Sequence, residues 1–301
     1  MTIESQTSPS THSTASTTSK RSRSQPIRRL IRNPSGAAGG AVLLLLFLLA
    51  ITAATGLLPF DPAAQDRSAA LIAPNGEHWF GTDQFGRDIF ARVASGVANS
   101  ALVALVAVSL ATLLGTLAGV VAGFLRGVTD VAIGGITNVL FAFPPLLLAL
   151  TLASVFDRNW FTVAIAIAVV YTPIFVRVTR GPVLSLREVD YVLAARATGM
   201  QAINIMLRHI LPNITSILIV QITLSLSWAV LTEASLSFLG LGTPPPAASL
   251  GSMIFDARTL VSVAPWTLFA PGSVLILLVV GLNLLGDGLR DALDPTTRRA
   301  E

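Results

Sequence analysis

The chain has 301 residues, of which 52% are hydrophobic and only 12% are charged. Soluble domains carry about 25% charged residues, so this composition predicts a membrane protein. The absence of cysteine excludes disulfides and cysteine-ligated metals. The three histidines, His12, His78 and His209, are far apart in sequence, so we predict no metal site.

Residues 1–24 contain 14 Ser or Thr and almost no large apolar side chains. This composition cannot bury enough surface to fold, so we predict that residues 1–27 form a disordered cytoplasmic tail. A signal peptide is the alternative, because basic residues precede an apolar run. That run exceeds the 15 or so residues of a signal-peptide core and no A-x-A site follows it, which favours a retained first helix.

Six largely uncharged runs are long enough to cross about 30 Å of hydrocarbon, which takes about 20 residues of helix. In chain order the predicted spans are 37–58, a part of 93–125, 131–156, 160–176, about 210–239 and about 265–286. The second run exceeds the bilayer thickness, so its helix is predicted to project beyond the membrane. Pro144–Pro145, Pro173 and Pro271 are expected to kink or break their helices.

The basic residues indicate the orientation of these spans. With a cytoplasmic N-terminus, only five of the 20 Lys and Arg residues fall outside: Arg67, Arg87, Arg92, Arg158 and Arg258. This bias matches the positive-inside rule and places both termini in the cytoplasm. The high isoelectric point is therefore an orientation signal, and no nucleic-acid partner is predicted.

We therefore predict an all-α, polytopic integral membrane protein with six transmembrane helices. After the tail, residues 28–92 hold the first membrane helix and an extracytoplasmic segment. Residues 93–286 form the membrane core, with a cytoplasmic loop at 177–212, and residues 287–301 form a cytoplasmic C-terminal tail.

The cytoplasmic segment 188–213, EVDYVLAARATGMQAINIMLRHILPN, is too polar to lie in hydrocarbon. Its alanines favour a helix, and no proline interrupts it before Pro212. Gly199 is predicted to end a short helix there. A structured helical loop of this size suggests a docking surface for another protein.

The extracytoplasmic segment contains the string WFGTDQFGRDIFARVASG at 79–96. Two glycines bracket a turn, and an amphipathic helix begins after it. Arg87, Asp88 and Arg92 lie within reach of one another at helical spacing. From these residues alone, the favoured interpretation is an interfacial helix with solvated charges.

Four motifs in order resemble those of one protein family. The A-A-x-x-x-G pattern followed by L-P in 188–213 resembles the EAA loop of ABC importer permeases. The string G-T-D-x-x-G-R-D-x-x-x-R at 81–92 is similar to a hallmark of the second permease subunit of dipeptide and oligopeptide importers. Residues 231–254 resemble the fifth helix and outer loop of that subfamily, and residues 286–298 resemble its C-terminal signature.

The resemblance implies an ABC type I importer permease fold that forms half of a translocation pathway and works by alternating access. It implies three kinds of partner: a homologous permease subunit, two ABC ATPase subunits and an extracytoplasmic substrate-binding protein. It also implies the plasma membrane of a prokaryote. Di- or oligopeptides are the expected cargo, with nickel, glutathione and oligosaccharides as alternatives in the same subfamily.

This chain cannot itself be a P-loop ATPase. Its only lysine, Lys20, lies in the tail with no glycine-rich loop before it. No catalytic constellation is present, so we predict no catalytic residue and no cofactor, with ATP bound by partner subunits. A self-sufficient secondary transporter is the alternative from another class, but the inverted repeat or coupling-ion site that it needs is not seen in the sequence.

By resemblance, the loop forms a short coupling helix that rests in a groove of the ATPase subunit. The ATPase-coupling residues predicted in this way are Ala194, Ala195, Arg196, Gly199, His209 and Pro212. Pro212 is expected to start the fifth helix as a first-turn proline. The glutamate of the motif is replaced by Leu193, so its ion pair is missing unless Glu188 or Asp190 compensates.

Gly115, Gly119 and Gly123 place small residues on one face of the second span, which permits close packing within this chain or against a partner. Glu233 is costly at membrane depth unless it is paired or faces water. A pathway-lining or gating role and a structural hydrogen bond are both open for it. The candidate pathway-lining residues are Glu233, Asn138, Gln221 and Asn283.

Overall fold

The computed structural model describes residue 30 and residues 33–293, which are mainly helical and contain no β-strand. The predicted tail 1–27 lies outside the described residues, as does the part of the C-terminal tail after residue 293. The helices are α1 Pro34–Ala54, α2 Ile89–Leu125, α3 Gly127–Ala142, α4 Pro145–Val155, α5 Trp160–Leu186, α6 Asp190–Ala197, α7 Ala202–Phe238, α8 Leu250–Ala257 and α9 Trp266–Leu293.

Within the described residues, five helices, α1, α2, α5, α7 and α9, are long and apolar enough to cross a membrane, and α3 with α4 makes a sixth span if the pair is counted as one. The two members of that pair are bent by 94° relative to each other, so the predicted break at Pro144–Pro145 within the span 131–156 is confirmed. Pro144 has an extended backbone, because the proline that follows it disfavours the helical conformation.

The other two predicted proline sites, each expected to kink or break its helix, do not break it. Pro173 lies inside α5 and Pro271 inside α9, and both helices continue through them. The helix of the second span, α2, has 37 residues and is therefore about 55 Å long, more than the thickness of the hydrocarbon layer, so its projection beyond the membrane stays a prediction. α5 runs on to Leu186, so the start of the predicted loop 177–212 is helical. Likewise α9 carries the start of the predicted tail 287–301 to Leu293.

The fifth span begins earlier than predicted, at Ala202, but Pro212 lies in the first turn of its α-helical part, Leu211–Phe238, as predicted. A π-helical stretch, Met206–Ile210, ends two residues before this proline. The N–H of Leu211 donates to the carbonyl of Met206, five residues back. Proline lacks an N–H and clashes with the carbonyl four residues earlier. The wider π turn changes the position of that carbonyl, so the helix continues through Pro212.

The most extensive helix contact joins α2 to α5. A Cβ added at Gly115 would lie 2.5 Å from Cβ of Phe175, and one at Gly119 would lie 2.7 Å from the carbonyl oxygen of Val176. The glycine stripe of the second span therefore packs within this chain. A second stripe, which the sequence reasoning missed, joins α1 to α9, where a Cβ at Gly39 would lie 2.6 Å from the backbone nitrogen of Leu285.

Replacing Gly115 by alanine is expected to destabilise the fold, because the added methyl group meets the Phe175 side chain and the Thr172 carbonyl oxygen. Overpacking of this kind costs about 1–3 kcal/mol, which a lowered thermal unfolding midpoint in detergent will show. Gly181→Ala is the matched control, since a Cβ there has no neighbour within 4 Å. Equal midpoints for the two variants would contradict close packing as the role of Gly115.

Candidate functional site

The short helix α6 lies in the loop predicted to be cytoplasmic and is closed by a glycine cap. Gly199 has a φ of +78°. Its N–H donates to the carbonyl of Arg196 at 3.0 Å, and the N–H of Met200 donates to that of Ala195 at 3.1 Å. These two bonds satisfy carbonyls that a helix end leaves unpaired, in the Schellman pattern. The predicted end of the helix at Gly199 is confirmed.

α6 has one buried face and one exposed face. Val192 and Ala195 are buried in the same hydrophobic cluster as Phe124 at the end of α2. Tyr191 and Leu193 are each 42% exposed, and Ala194 and Ala197 are exposed with them. We call this set, Tyr191, Leu193, Ala194 and Ala197, the outward face of α6. Its four side chains carry no charge, because Leu193 stands where the motif has its glutamate, but the exposed Asp190, four residues before Ala194, adds a carboxylate on the same side of the helix.

Some of the six predicted coupling residues are exposed, and others are buried against the rest of the chain. Ala194, Gly199 and Pro212 are exposed, whereas Ala195 is buried. The Arg196 guanidinium lies 4.4 Å from the centroid of the Phe124 ring and so points into the chain. His209 is half-buried, with its ring 6.1 Å from that of Tyr191.

The acidic residues near α6 differ in their surroundings. The Glu188 carboxylate lies 2.9 Å from Nε of the neighbouring Arg187. Asp190 lies in the first turn of α6, where a negative charge is favourable to the helix dipole. Both residues are exposed. Neither carboxylate occupies the position of the missing glutamate on the outward face.

A groove of about 670 Å³ lies between the α3–α4 bend, α5 and α7. Its lining is mainly apolar, and none of its lining residues is charged. The hydroxyl oxygens of Tyr171 and Thr232 lie 3.0 Å apart, and Gln221 Nε2 donates to Ser225 Oγ at 3.1 Å. The groove therefore offers a neutral surface with a few hydrogen-bonding groups.

Of the four predicted pathway residues, Gln221 lines this groove. Asn138 is exposed beside it and accepts a hydrogen bond from Nη2 of Arg177 at 3.1 Å. The Arg177 guanidinium also lies 3.9 Å from the ring centroid of Phe141, a groove residue. Asn283 is half-buried on α9, a helix that contributes nothing to the groove lining.

Glu233 is 1% exposed and accepts a hydrogen bond from Ser237 Oγ at 2.6 Å. It lies where α8 packs closely on α7, since Gly251 is in contact with the backbone of Ala234. Glu233 is not part of the groove lining. Its placement supports the structural interpretation over a lining role.

The outer motif at 81–92 is a folded turn whose charges are buried. Arg87, Asp88 and Arg92 are 7%, 4% and 3% exposed, so the prediction of solvated charges is wrong. Asp83 Oδ2 accepts a hydrogen bond from Arg87 Nε at 2.6 Å and lies 3.6 Å from Arg92 Nε. The sequence reasoning missed this role of Asp83, because local spacing does not show which charges a folded segment will cover.

The same motif fixes the outer end of α2. Asp88 Oδ1 accepts a hydrogen bond from the N–H of Ala91 at 2.7 Å, which caps the helix. Its other oxygen lies 2.9 Å from Nδ1 of His78, a contact that the sequence did not indicate. Nearby, burial raises the pKa of the Asp256 carboxyl above its ordinary value, although Arg87, Arg92 and Arg258 oppose the shift.

No cluster of three or more His, Cys, Asp or Glu side chains that could hold a metal ion is found among the described residues. The site features are thus an uncharged helix face, a neutral groove and a fixed outer turn.

Comparisons with known proteins agree with this arrangement. A profile described as the binding-protein-dependent transport system inner membrane component matches residues 115–299. A second profile, the N-terminal TM domain of oligopeptide transport permease C, matches residues 24–74.

Two bacterial relatives cover most of the chain. The dipeptide transport system permease protein DppC of Alkalihalophilus pseudofirmus is 42% identical over 233 residues, which is 77% of each chain. The oligopeptide transport system permease protein OppC of Bacillus subtilis is 38% identical over 226 residues, which is 75% of this chain and 74% of the relative.

The fold is similar to that of a solved transporter. The MetNI methionine ABC transporter, in an inward-facing conformation, matches with a TM-score of 0.55 over 67% of this chain and 96% of the other. At 18% identity this likeness shows the fold alone. With the profiles and relatives, it establishes that the chain belongs to the family of binding-protein-dependent transport system inner membrane components, as a non-catalytic permease subunit of an ABC importer with the type I fold.

Proposed function

We propose that this permease subunit imports di- or oligopeptides. The observation that carries the proposal is the similarity to relatives named for dipeptide and oligopeptide transport, at 42% and 38% identity over three quarters of the chain. The neutral groove is compatible with this cargo. A wall without charges neither holds nor repels particular side chains, while its hydroxyl and amide groups can bind polar backbone groups.

The subunit pairs with a homologous permease, and each of the two binds one ATPase subunit. Both termini lie in the cytoplasm, as the distribution of basic residues supports. ATP is bound by the ATPase subunits, and this chain carries no cofactor. Closure of the ATPases moves the coupling helices and switches the groove between inward and outward access, while a substrate-binding protein delivers the cargo from outside.

The outward face of α6 is the surface that docks on the ATPase. It combines two alanines with two larger apolar side chains and ends at a cap that adds no side chain. A face of this kind fits a groove mainly through its shape, and the exposed Asp190 on the same side of the helix can add a charged contact.

Reconstitution tests the proposed cargo. The permease pair, its ATPases and the cognate binding protein are placed in proteoliposomes, and ATP-dependent uptake of labelled trialanine is measured beside uptake of Ni²⁺, glutathione and maltotriose. We expect trialanine alone to enter. Uptake of another cargo instead would reject peptide transport, and uptake without ATPases would show a secondary transporter.

Replacing Ala194 by tryptophan tests the docking face. The bulky ring should separate α6 from the ATPase, and a cost of about 1–3 kcal/mol reduces affinity by about tenfold to a hundredfold. Co-purification of the ATPase with the permease measures the loss. Ala194→Ser keeps the side chain small and should bind normally, so equal binding by both variants would contradict docking at this face.

Substitutions at Gly199 test whether transport requires the left-handed backbone of the helix cap or the absence of a side chain at this position. A valine at φ +78° is strained by about 1–2 kcal/mol, whereas asparagine tolerates the left-handed conformation. We expect Gly199→Val to lower ATP-dependent uptake and Gly199→Asn to retain most of it. Similar losses in both variants would show that the added side chain obstructs a partner subunit. Within this chain it meets no obstacle, because no atom lies within 4 Å of a Cβ at position 199.

A further inference from the structure

We propose that Arg196 is a positioning residue that joins the coupling helix α6 to the inner end of α2 through the ring of Phe124. The inference rests on the proposed docking of α6 on an ATPase subunit. It assigns Arg196 to transmission within this chain, in place of the ATPase contact expected from the motif.

The first observation is the contact itself. The Arg196 guanidinium lies 4.4 Å from the centroid of the Phe124 ring, and Phe124 is 5% exposed. Nη2 of Arg196 is buried and has no hydrogen-bond partner among residues 33–293. A cation placed over a ring face is attracted by the ring quadrupole, more strongly where water is excluded. The side chain is therefore held against α2 by the ring.

A second arginine holds the same residue. Nη1 of Arg187 donates to the carbonyl oxygen of Phe124 at 2.8 Å. The last four carbonyls of a helix have no intrahelical donor, and cations are favourable at that end. Arg187 follows the last residue of α5, and Arg196 lies in α6. Arginines on both sides of the turn at 188–189 therefore contact Phe124.

α2 connects the contacts at Phe124 to the extracytoplasmic end of the chain. It is one unbroken helix of 37 residues. At its outer end, Asp88 caps the helix and contacts His78, and Nη1 of Arg92 donates to the carbonyl oxygen of Pro62 at 3.2 Å. A displacement of the extracytoplasmic segment is thus passed along α2 to Phe124 and on to α6, by a route outside the groove lining.

The experiment uses the complete complex in proteoliposomes. ATPase activity is measured twice, once with the cognate binding protein saturated with trialanine and once without the binding protein. The measured quantity is the ratio of the first activity to the second. Arg196→Met removes the cation, Phe124→Leu removes the ring, and Arg196→Lys keeps a cation. Arg208→Met, which removes an exposed guanidinium from the same loop, is the control. ATPase co-purification and the thermal unfolding midpoint are measured for each variant.

We expect Arg196→Met and Phe124→Leu each to lower the ratio at least about fivefold, and the double variant to be no worse than either, because both remove one shared contact. Arg196→Lys should recover part of the ratio. Co-purification and unstimulated ATPase activity should stay near those of the unmodified complex, and Arg208→Met should keep the full ratio.

Three results would overturn the proposal: a full ratio in Arg196→Met, loss of ATPase co-purification in that variant, or additive losses in the double variant. The second would show that Arg196 contacts the ATPase. If the unmodified chain fails to co-purify with an ATPase, the docking proposal fails first, and the role of Arg196 that rests on it is rejected with it.

Discussion

The close contact between α2 and α5 positions every functional surface of this chain. In a bilayer, apolar side chains gain nothing by leaving lipid for protein, so helices associate through van der Waals contact between small residues. Gly115 and Gly119 supply that contact by admitting the backbone of α5. The outer turn lies before α2, and α6 follows α5, so this packing fixes both ends of the molecule relative to each other.

Charge is used differently at the two ends. At the outer end, arginines and aspartates are buried and paired around the start of α2, so they hold a turn in place. At the inner end, the outward face of α6 carries no charge, while its arginine is turned inward onto Phe124. The outer end is therefore built as a fixed anchor. At the inner end, the proposed docking face is formed by uncharged side chains.

Local patterns predicted the parts of the fold that depend on local physics. Apolar runs gave the spans, the double proline gave the break before α4, Gly199 gave the cap of α6, and the spacing of the glycines gave a packing face. Local patterns were not sufficient to predict the helices around Pro173 and Pro212. A proline inside a helix is tolerated when neighbouring helices or a π turn accommodate the missing hydrogen bond, and neither is visible in the sequence.

The candidate site was predictable in its position but not in its orientation. Sequence spacing places Ala194 and Ala195 about 100° apart around a helix, yet it does not say which of them faces the protein. The inward turn of Arg196 depends on Phe124, which lies 72 positions away in the chain, and the buried outer charges depend on segments that fold over them. Such contacts are set by tertiary packing, which no local pattern reports.

The central claim is that the outward face of α6 meets an ATPase subunit, and site-specific photo-crosslinking tests it most directly. Because the chain has no cysteine, Ala194→Cys provides a unique site for a maleimide–benzophenone label, attached before assembly with the ATPases. Ala64→Cys labels an exposed position in the predicted extracytoplasmic segment. We predict an ATPase adduct from position 194 and none from position 64. The absence of an adduct at 194, or an ATPase adduct at 64, would contradict the account.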